Sequence, residues 1–300
     1  MAELDPDMAE AMSIEAARTA AMPPPRDLAE ERRRGIEGAA FWNEGVPEMA
    51  VQGRRVGGVA VDLYQPNGQE DAPTLLYVHG GGWAVGSVGQ NEPAIRGLAQ
   101  GSGWNVAAPT YRLAPEHPFP AGLEDCLTVA GWLAASGRPW AVAGTSAGAN
   151  LAIATALARR HMPGPSALVL FYGVFGADLD TGSYTAFGDG RYGLSRERMA
   201  NFFEMYDPAG ARTRDPLITP LLGDLAGLPP TWLLAAGLDV LRDDTLAMRE
   251  RMQAAGVDVR LRVEPGCTHG FINRGRIVRA ARESLDDAAA FLRQQIGEPA

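Results

Sequence analysis

The chain has 300 residues, 46% of them hydrophobic and 21% charged, which is typical of a globular protein with a substantial core and excludes a disordered or fibrous chain. All 27 basic residues are arginine, so mechanisms that need a lysine amine, such as Schiff-base catalysis, are excluded. The formal net charge of −9 argues against a nucleic-acid partner, because phosphate binding needs a basic surface.

In the N-terminal part of the chain, the sequence predicts helices and no targeting signal. It starts with the acidic run Met1–Asp5, which lacks the basic and apolar regions of a secretory signal. Residues 7–40 are rich in helix formers, and Pro23–Pro25 divide them into two short helices. No stretch of the sequence approaches the ~18 apolar residues that a membrane span needs. Because the chain has only two cysteines, we expect a reduced, cytoplasmic protein.

Beyond residue 55, strand-like and helix-like segments alternate. The predicted strands are residues 59–64, 74–78, 105–108, 140–143, 167–171, 232–236 and 257–263. The predicted helices are residues 121–135, 147–160, 240–255 and 275–296. This alternation indicates an α/β fold with a mostly parallel central sheet and helices on both faces. The interval 172–230 interrupts the alternation and holds one aromatic helix near 195–206, so we predict an insertion above the sheet.

The segment Gly144-Thr145-Ser146-Ala147-Gly148 fits the Gly-x-Ser-x-Gly nucleophile elbow. A predicted strand precedes it and a predicted helix follows it, as the sharp turn of an elbow requires. Ala147 would present its backbone amide at a helix N-terminus, where the helix dipole favours negative charge. The alternative is an ordinary glycine-rich turn between a strand and a helix.

The segment His79-Gly80-Gly81-Gly82 follows another predicted strand. Consecutive glycines can bring bare backbone N–H groups to a reacting carbonyl, which is what an oxyanion hole requires. A phosphate-binding loop is the rival interpretation, but the Gly-Lys-Ser/Thr sequence that it needs is absent. We expect His79 to hold this loop by hydrogen bonding and not to act as a base.

A serine nucleophile needs a histidine base, and the chain has four histidines. His269 is the best candidate, because it lies on a loop at the predicted C-terminal end of a strand, where α/β sheets collect their chemistry. We expect His161 to lie at a helix end on the surface. We expect His117 to pack within a proline-rich loop.

The acid that orients this base should lie between the serine and the histidine in the sequence. Asp239 follows a predicted strand and is preferred. Asp243 is the next candidate and Glu264 is the third. Asp243 and its neighbour Asp244 lie on the following predicted helix, where carboxylates usually cap the helix or stay solvated. Cys267 suggests a metal ligand, but no second ligand cluster accompanies it, so a buried thiol is the preferred interpretation.

Five motifs in this order resemble those of the bacterial hormone-sensitive-lipase family of α/β-hydrolases. They are Tyr77–Trp83, Tyr111–Pro120, Gly144–Gly148, Gly237–Asp244 and His269–Phe271. The resemblance covers the chain from about residue 55 to its C-terminus. Two positions depart from the common pattern: Thr145 stands where many members have aspartate, as in a Gly-Thr-Ser-Ala-Gly subgroup, and Val240 stands where proline is frequent.

The resemblance implies an α/β-hydrolase fold with a helical cap and no cofactor or metal. It implies Ser146, Asp239 and His269 as a catalytic triad, and the amides of Gly81, Gly82 and Ala147 as the oxyanion hole. The implied substrates are esters of short-to-medium acyl chains, and the chain would form a homodimer.

On this basis we predict a cap segment over residues 1–45 and a catalytic domain over residues 46–300, with a cap insertion around 180–210. The predicted substrate-binding side chains are Trp83, Tyr172, Phe202 and Phe203. Other apolar side chains of the cap would either belong to the core or line an acyl pocket, namely Met8, Met12, Met22, Phe41, Trp42, Met205 and Tyr206.

The predicted function is hydrolysis of small carboxylic esters through an acyl-enzyme intermediate. An amidase or arylformamidase on the same scaffold is the alternative, since only the leaving group differs. A catalytically silent binding protein is a further alternative, but it is disfavoured because Ser146, Asp239 and His269 are all present.

Overall fold

The structure is a computed structural model that describes residues 3–20 and 22–295. Within these residues, eight strands form one sheet in the order β1-β2-β4-β3-β5-β6-β7-β8. The pairs β1–β2 and β2–β4 are antiparallel, and every other pair is parallel. The strands are β1 (Ala50–Val56), β2 (Val59–Gln65), β3 (Thr74–Val78), β4 (Asn105–Thr110), β5 (Trp140–Thr145), β6 (Leu168–Phe171), β7 (Thr231–Leu238) and β8 (Val259–Thr268).

Helices cover both faces of this sheet. They are α1 (Pro6–Thr19), α2 (Leu28–Trp42), α3 (Glu92–Ser102), α4 (Ala121–Ala135), α5 (Ala147–Ala158), α6 (Gly182–Phe187), α7 (Arg196–Tyr206), α8 (Arg242–Ala254) and α9 (Arg279–Gln294). Helices α4, α5 and α8 pack in the core on one face, and α3 and α9 pack in the core on the other. Every residue of β5 and β7 is buried, as expected of parallel strands that are covered on both faces. The predicted α/β class with a mostly parallel sheet is confirmed.

Some elements differ from the sequence-based expectation. The structure adds β1, whose residues are mostly exposed and therefore lack the apolar alternation of a half-buried strand. It also adds the helices α3 and α6. Helix α9 begins at Arg279, later than the predicted residue 275, and the predicted last residue Ile296 lies outside the described residues.

Five strands extend beyond their predicted C-terminal ends, and three of these extensions lead to candidate site residues. Strand β5 ends at Thr145, β7 at Leu238 and β8 at Thr268. As a result Ser146, Asp239 and His269 each follow directly after a strand, at the edge of the sheet where loops collect functional groups.

Helices α1 and α2 lie beside this edge. The guanidinium of Arg32 on α2 donates hydrogen bonds to the carbonyl oxygens of Ala84 and Ala114, each at 2.8 Å, and forms an ion pair with Glu116. Arg198 on α7 forms an ion pair with Glu31 on α2. The predicted cap segment and cap insertion are therefore in direct contact, while the division into two domains stays a prediction. None of the described helices combines the length and the apolar composition needed to cross a bilayer.

Candidate active site

Ser146 lies at a sharp turn between β5 and α5. Its backbone has φ 56° and ψ −122°, a conformation that is strained for a residue with a side chain. The flanking glycines allow this turn, because a Cβ on Gly144 would clash with the backbone of Gly148. A Cβ on Gly148 would in turn clash with the backbone of Val78 and lie 2.5 Å from the carbonyl oxygen of His79. The segment therefore has the local geometry of a nucleophile elbow.

Ser146, His269 and Asp239 form one hydrogen-bonded chain. The Oγ atom of Ser146 lies 2.9 Å from Nε2 of His269, and Nδ1 of His269 lies 2.7 Å from Oδ2 of Asp239. The Asp239 side chain is fully buried and that of His269 is 16% exposed. Because a carboxylate only accepts hydrogen bonds, Nδ1 carries the proton and Nε2 is left to accept from the serine hydroxyl. Backbone N–H of Leu241 donates to the other oxygen of Asp239 at 3.1 Å, which orients the carboxylate. The catalytic role of the three residues stays a prediction.

The other candidate acids on α8 point elsewhere. Both Asp243 and Asp244 lie in the first turn of α8. Asp243 accepts a hydrogen bond from the backbone N–H of Ser183 at 2.7 Å. Asp244 accepts from the backbone N–H groups of Phe175 at 2.9 Å and Gly176 at 2.7 Å. The expectation that Asp244 caps its helix or stays solvated is wrong: its side chain is bonded to another segment, the residue is buried, and burial raises its pKa to about 7.

The structure also places the two remaining candidates, Glu264 and Cys267, which both lie on β8. Glu264 forms an ion pair with Arg262 at 2.5 Å. Cys267 is buried, and burial raises the pKa of its thiol to about 12, so it is protonated near neutral pH. Among the described residues, no group of three histidine, cysteine or carboxylate side chains is placed to hold a metal ion.

His79 holds the glycine loop. Its Nδ1–H donates to the carbonyl oxygen of Gly80 at 2.8 Å, and its ring stacks on Tyr111 with the centroids 4.3 Å apart. The Tyr111 hydroxyl donates to the His79 carbonyl oxygen at 3.0 Å. Burial lowers the pKa of His79 to about 4, so its imidazole is neutral near pH 7.

The remaining two histidines lie outside the site. His117 is exposed, so the expected packing of its side chain in the proline-rich loop is wrong. His161 is exposed as predicted, but α5 ends at Ala158, so His161 is not at the helix end.

The loop after β3 curls tightly. Gly81 has φ 122° and Gly82 has φ 54°, values that glycine adopts readily, and a Cβ at Gly82 would clash with the ring of Phe202. The carbonyl oxygen of Gly81 accepts from the N–H of Val85 at 2.8 Å. Within residues 3–20 and 22–295, no protein acceptor is bonded to the N–H groups of Gly81, Gly82 or Ala147. The oxyanion hole that these three donors would form stays a prediction.

A cavity of about 1200 Å³ opens above Ser146. It is bordered by the elbow, the glycine loop, the His269 loop, α7 and the helices α1 and α2. Of the four predicted pocket side chains, Tyr172 and Phe202 line it. The prediction is wrong for Trp83 and Phe203, because both side chains are buried and neither lines the cavity.

Packing against neighbouring aromatic rings explains why Trp83 and Phe203 do not line the cavity. The Trp83 ring stacks flat on Tyr206, with the centroids 4.3 Å apart and the planes 3° from parallel, and Phe203 packs beside it at 5.4 Å. From the cap, Met22 and Trp42 line the cavity, whereas Met8 belongs to the core.

The cavity also has polar lining residues that no sequence motif singled out. They are Gln90, Asn91, Asn273 and several charged residues of α1, α2 and the His269 loop, namely Glu15, Arg18, Glu31, Arg34, Glu37 and Arg274. Their positions depend on how distant segments pack, so the sequence carried no local signal for them.

Known proteins share this architecture. Residues 75–273 match the sequence profile of a family described by its alpha/beta hydrolase fold. The chain is 35% identical over 271 residues to carboxylesterase NlhH of Mycobacterium tuberculosis, covering 84% of each chain. It is 33% identical over 317 residues to an ethyl acetate hydrolase of Pseudomonas putida, covering 98% of this chain and 99% of that one. The crystal structure of an esterase from the bacterial hormone-sensitive lipase family superimposes with a TM-score of 0.90 at 30% identity, over 99% of this chain and 100% of the other.

Proposed function

The chain belongs to the α/β-hydrolase fold family, and we propose that it cleaves esters of short-to-medium acyl chains by a serine-esterase mechanism. Its relatives are esterases of the bacterial hormone-sensitive-lipase type, and the protein is a carboxylic ester hydrolase. The observation that carries the mechanism is the hydrogen-bonded chain from Ser146 through His269 to Asp239.

In the first half-reaction, the Oγ atom of Ser146 attacks the ester carbonyl while Nε2 of His269 takes the hydroxyl proton. Asp239 stabilises the imidazolium that forms. The N–H groups of Gly81, Gly82 and Ala147 donate to the oxyanion of the tetrahedral intermediate. The intermediate collapses when His269 returns the proton to the departing alkoxide, which leaves as the alcohol.

In the second half-reaction, water attacks the acyl-enzyme along the same route. His269 takes a proton from the water, and the hydroxide adds to the acyl carbon. Collapse of the second intermediate returns the proton to Ser146 and releases the carboxylic acid. Every step uses the same base, acid partner and oxyanion donors.

The cavity lining favours a short or medium acyl chain. Leu194, Met199 and Phe202 supply an apolar part of the lining. Elsewhere the lining has charged side chains, among them Glu15 and Arg274, and a long alkyl chain laid against them would remove them from water.

Replacement of Ser146 tests the mechanism. Ser146→Ala should lower turnover of p-nitrophenyl butyrate by at least about 10⁴-fold, because the nucleophile is lost. Ser166→Ala is a matched control, since the Ser166 hydroxyl donates to the Trp140 carbonyl oxygen and the residue is not among those that line the cavity. A fluorophosphonate probe should label wild-type protein at Ser146. Undiminished hydrolysis by Ser146→Ala would contradict the mechanism, and absence of any covalent adduct would indicate a binding protein.

The leaving group distinguishes an esterase from an amidase or arylformamidase. An ester and an anilide with the same acyl group should be compared on one enzyme preparation. We expect the ester to react faster by orders of magnitude; comparable rates would favour the amidase alternative.

Deletion of residues 1–35 tests the proposed cap segment, because it removes α1, part of α2 and lining residues such as Met22. We expect a changed preference along a p-nitrophenyl series from acetate to dodecanoate, and an unchanged preference would discard the cap. The predicted homodimer is tested by light scattering of the purified protein.

A further inference from the structure

Asn91 lies at the N-cap of α3 without capping it. Asparagine at this position usually accepts a hydrogen bond from a backbone N–H in the first turn, but the Asn91 side chain makes none there. The N–H of Ala94, in the first turn of α3, donates instead to Oδ1 of Asn273 at 3.3 Å. Asn273 is four residues beyond His269, so a residue of the His269 loop caps α3 in place of Asn91.

The Asn91 amide is used to connect other segments. Its Oδ1 atom accepts from the hydroxyl of Thr145 at 3.2 Å, from the hydroxyl of Tyr77 at 3.0 Å and from Nδ2 of Asn273 at 3.1 Å. Its Nδ2 group donates to the carbonyl oxygen of Ser87 at 3.1 Å. A single buried side chain thus joins the elbow, the His269 loop and the segment that follows the glycine loop.

Backbone partners determine which way both amides face. The Ser87 carbonyl can only accept, so the NH₂ group of Asn91 points to it and the amide oxygen points to Thr145. The Ala94 N–H can only donate, so the oxygen of Asn273 points to it and its NH₂ group points to Asn91. The two assignments agree on one donor and one acceptor between Asn91 and Asn273.

We propose that Asn91 and Asn273 are positioning residues that hold the His269 loop against the nucleophile elbow. This inference rests on the proposed triad. Thr145 directly precedes Ser146, and Asn273 lies on the 3₁₀ turn Phe271–Arg274 just beyond His269. The bond between Asn273 and Asn91 therefore keeps the distance from Ser146 Oγ to His269 Nε2 short. Catalysis is sensitive to such placement, since a displacement of about 1 Å can slow a reaction by about 10²-fold.

Two substitutions of Asn273 separate positioning from stability. Asn273→Ala removes both the cap of α3 and the bond to Asn91. Asn273→Asp keeps an acceptor for the Ala94 N–H but turns a second acceptor towards the Asn91 oxygen, so it breaks only the bond to Asn91. Asn91→Ala and the double variant Asn91→Ala/Asn273→Ala complete a double-mutant cycle, which measures the coupling between the two side chains.

The chain offers a matched control in Asn105. It is buried like Asn91, and its Nδ2 donates to a backbone carbonyl, that of Gln69, at 2.9 Å. It begins β4, at the end of the sheet opposite Ser146. Asn105→Ala removes a buried amide of the same kind without touching the site.

The assay is single-turnover acylation by p-nitrophenyl acetate, normalised to the fraction of protein that a fluorophosphonate labels. It is run on the alkaline plateau of the pH profile, where the rate no longer changes with pH. Thermal unfolding is measured on every variant. Ser146→Ala runs in parallel to test the triad separately.

We expect the Asn273 variants and Asn91→Ala to acylate about 10- to 100-fold more slowly per active site, with the half-saturating substrate concentration changed less than about threefold. The double variant should be no slower than its slower parent, and Asn105→Ala should acylate at the wild-type rate. A wild-type rate for a folded Asn273→Asp, or additive losses in the double variant, would overturn the inference. Activity in Ser146→Ala would instead overturn the triad.

Discussion

Gly148 lies where α5 meets the end of β3, and alanine at this position tests how closely the elbow is packed. A Cβ on Gly148 would lie 2.5 Å from the carbonyl oxygen of His79 and closer still to that of Val78. Both obstacles are backbone atoms at the end of β3 and directly after it, so neither can rotate away as a side chain would.

The required movement can be read from these distances. Ordinary van der Waals contact begins at 3.4 Å, so the His79 oxygen alone requires the start of α5 and the end of β3 to separate by about 0.9 Å, and the closer Val78 oxygen requires more. That movement carries Ser146 and the Ala147 amide away from His269 and from the glycine loop. We expect Gly148→Ala to lower kcat by about 10²-fold, and overpacking to lower the free energy of unfolding by about 1–3 kcal/mol.

The measurement compares Gly148→Ala with Gly131→Ala. Gly131 lies within α4, and a Cβ there would meet its nearest neighbour, a guanidinium nitrogen of Arg159, at an ordinary 3.7 Å. The control should keep wild-type kcat and gain about 0.5–1 kcal/mol, because alanine restricts the unfolded chain more than glycine does. Turnover of p-nitrophenyl butyrate and urea unfolding are measured on both. If Gly148→Ala kept kcat within about threefold, the argument that the elbow tolerates no displacement would be refuted.

Three further predictions concern single side chains. Asp239→Asn should lower kcat by about 10⁴-fold, because the amide favours the wrong His269 tautomer. A pH–rate profile should show that kcat does not return to the wild-type value at any pH. Near-normal turnover would remove Asp239 from the triad. Phe202→Ala should enlarge the cavity and so raise kcat/KM for octanoate esters relative to acetate esters. Phe203 is buried outside the lining, so Phe203→Ala should lower stability without changing that ratio. An equal change of the ratio in both variants would contradict the assignment of Phe202 to the pocket. Asp244 has a folded-state pKa raised to about 7, so the folded protein binds a proton that the unfolded chain releases between about pH 4 and 7. Wild-type stability should therefore rise as pH falls through that window, by about 4 kcal/mol at most, and Asp244→Asn should lose this rise in urea unfolding at pH 5 and 7; an unchanged pH dependence would show that another group is responsible.

Features of this protein that depend on neighbouring residues could be predicted without the structure. The alternation of strand-like and helix-like segments beyond residue 55 predicted a mostly parallel sheet with helices on both faces. The turn at Ser146 was predicted by its flanking glycines, because their lack of a Cβ is what the turn requires. The preference for His269 came from its place after a strand.

Features that depend on which distant segments come into contact could be seen only in the folded protein. Asp239 and Asp244 are five residues apart, and only folding shows that one contacts His269 while the other accepts backbone hydrogen bonds from the start of the insertion. Trp83 is adjacent to the glycines in sequence, yet the ring of Tyr206 holds it out of the cavity.

The bond between Asn91 and Asn273 is the clearest example. It joins residues 182 positions apart, and neither belongs to a motif. Local patterns report the backbone conformation and burial of a short segment, whereas such a contact depends on the packing of the whole sheet and its helices. The chemistry of the groups could therefore be predicted from the sequence, but their mutual placement required the fold.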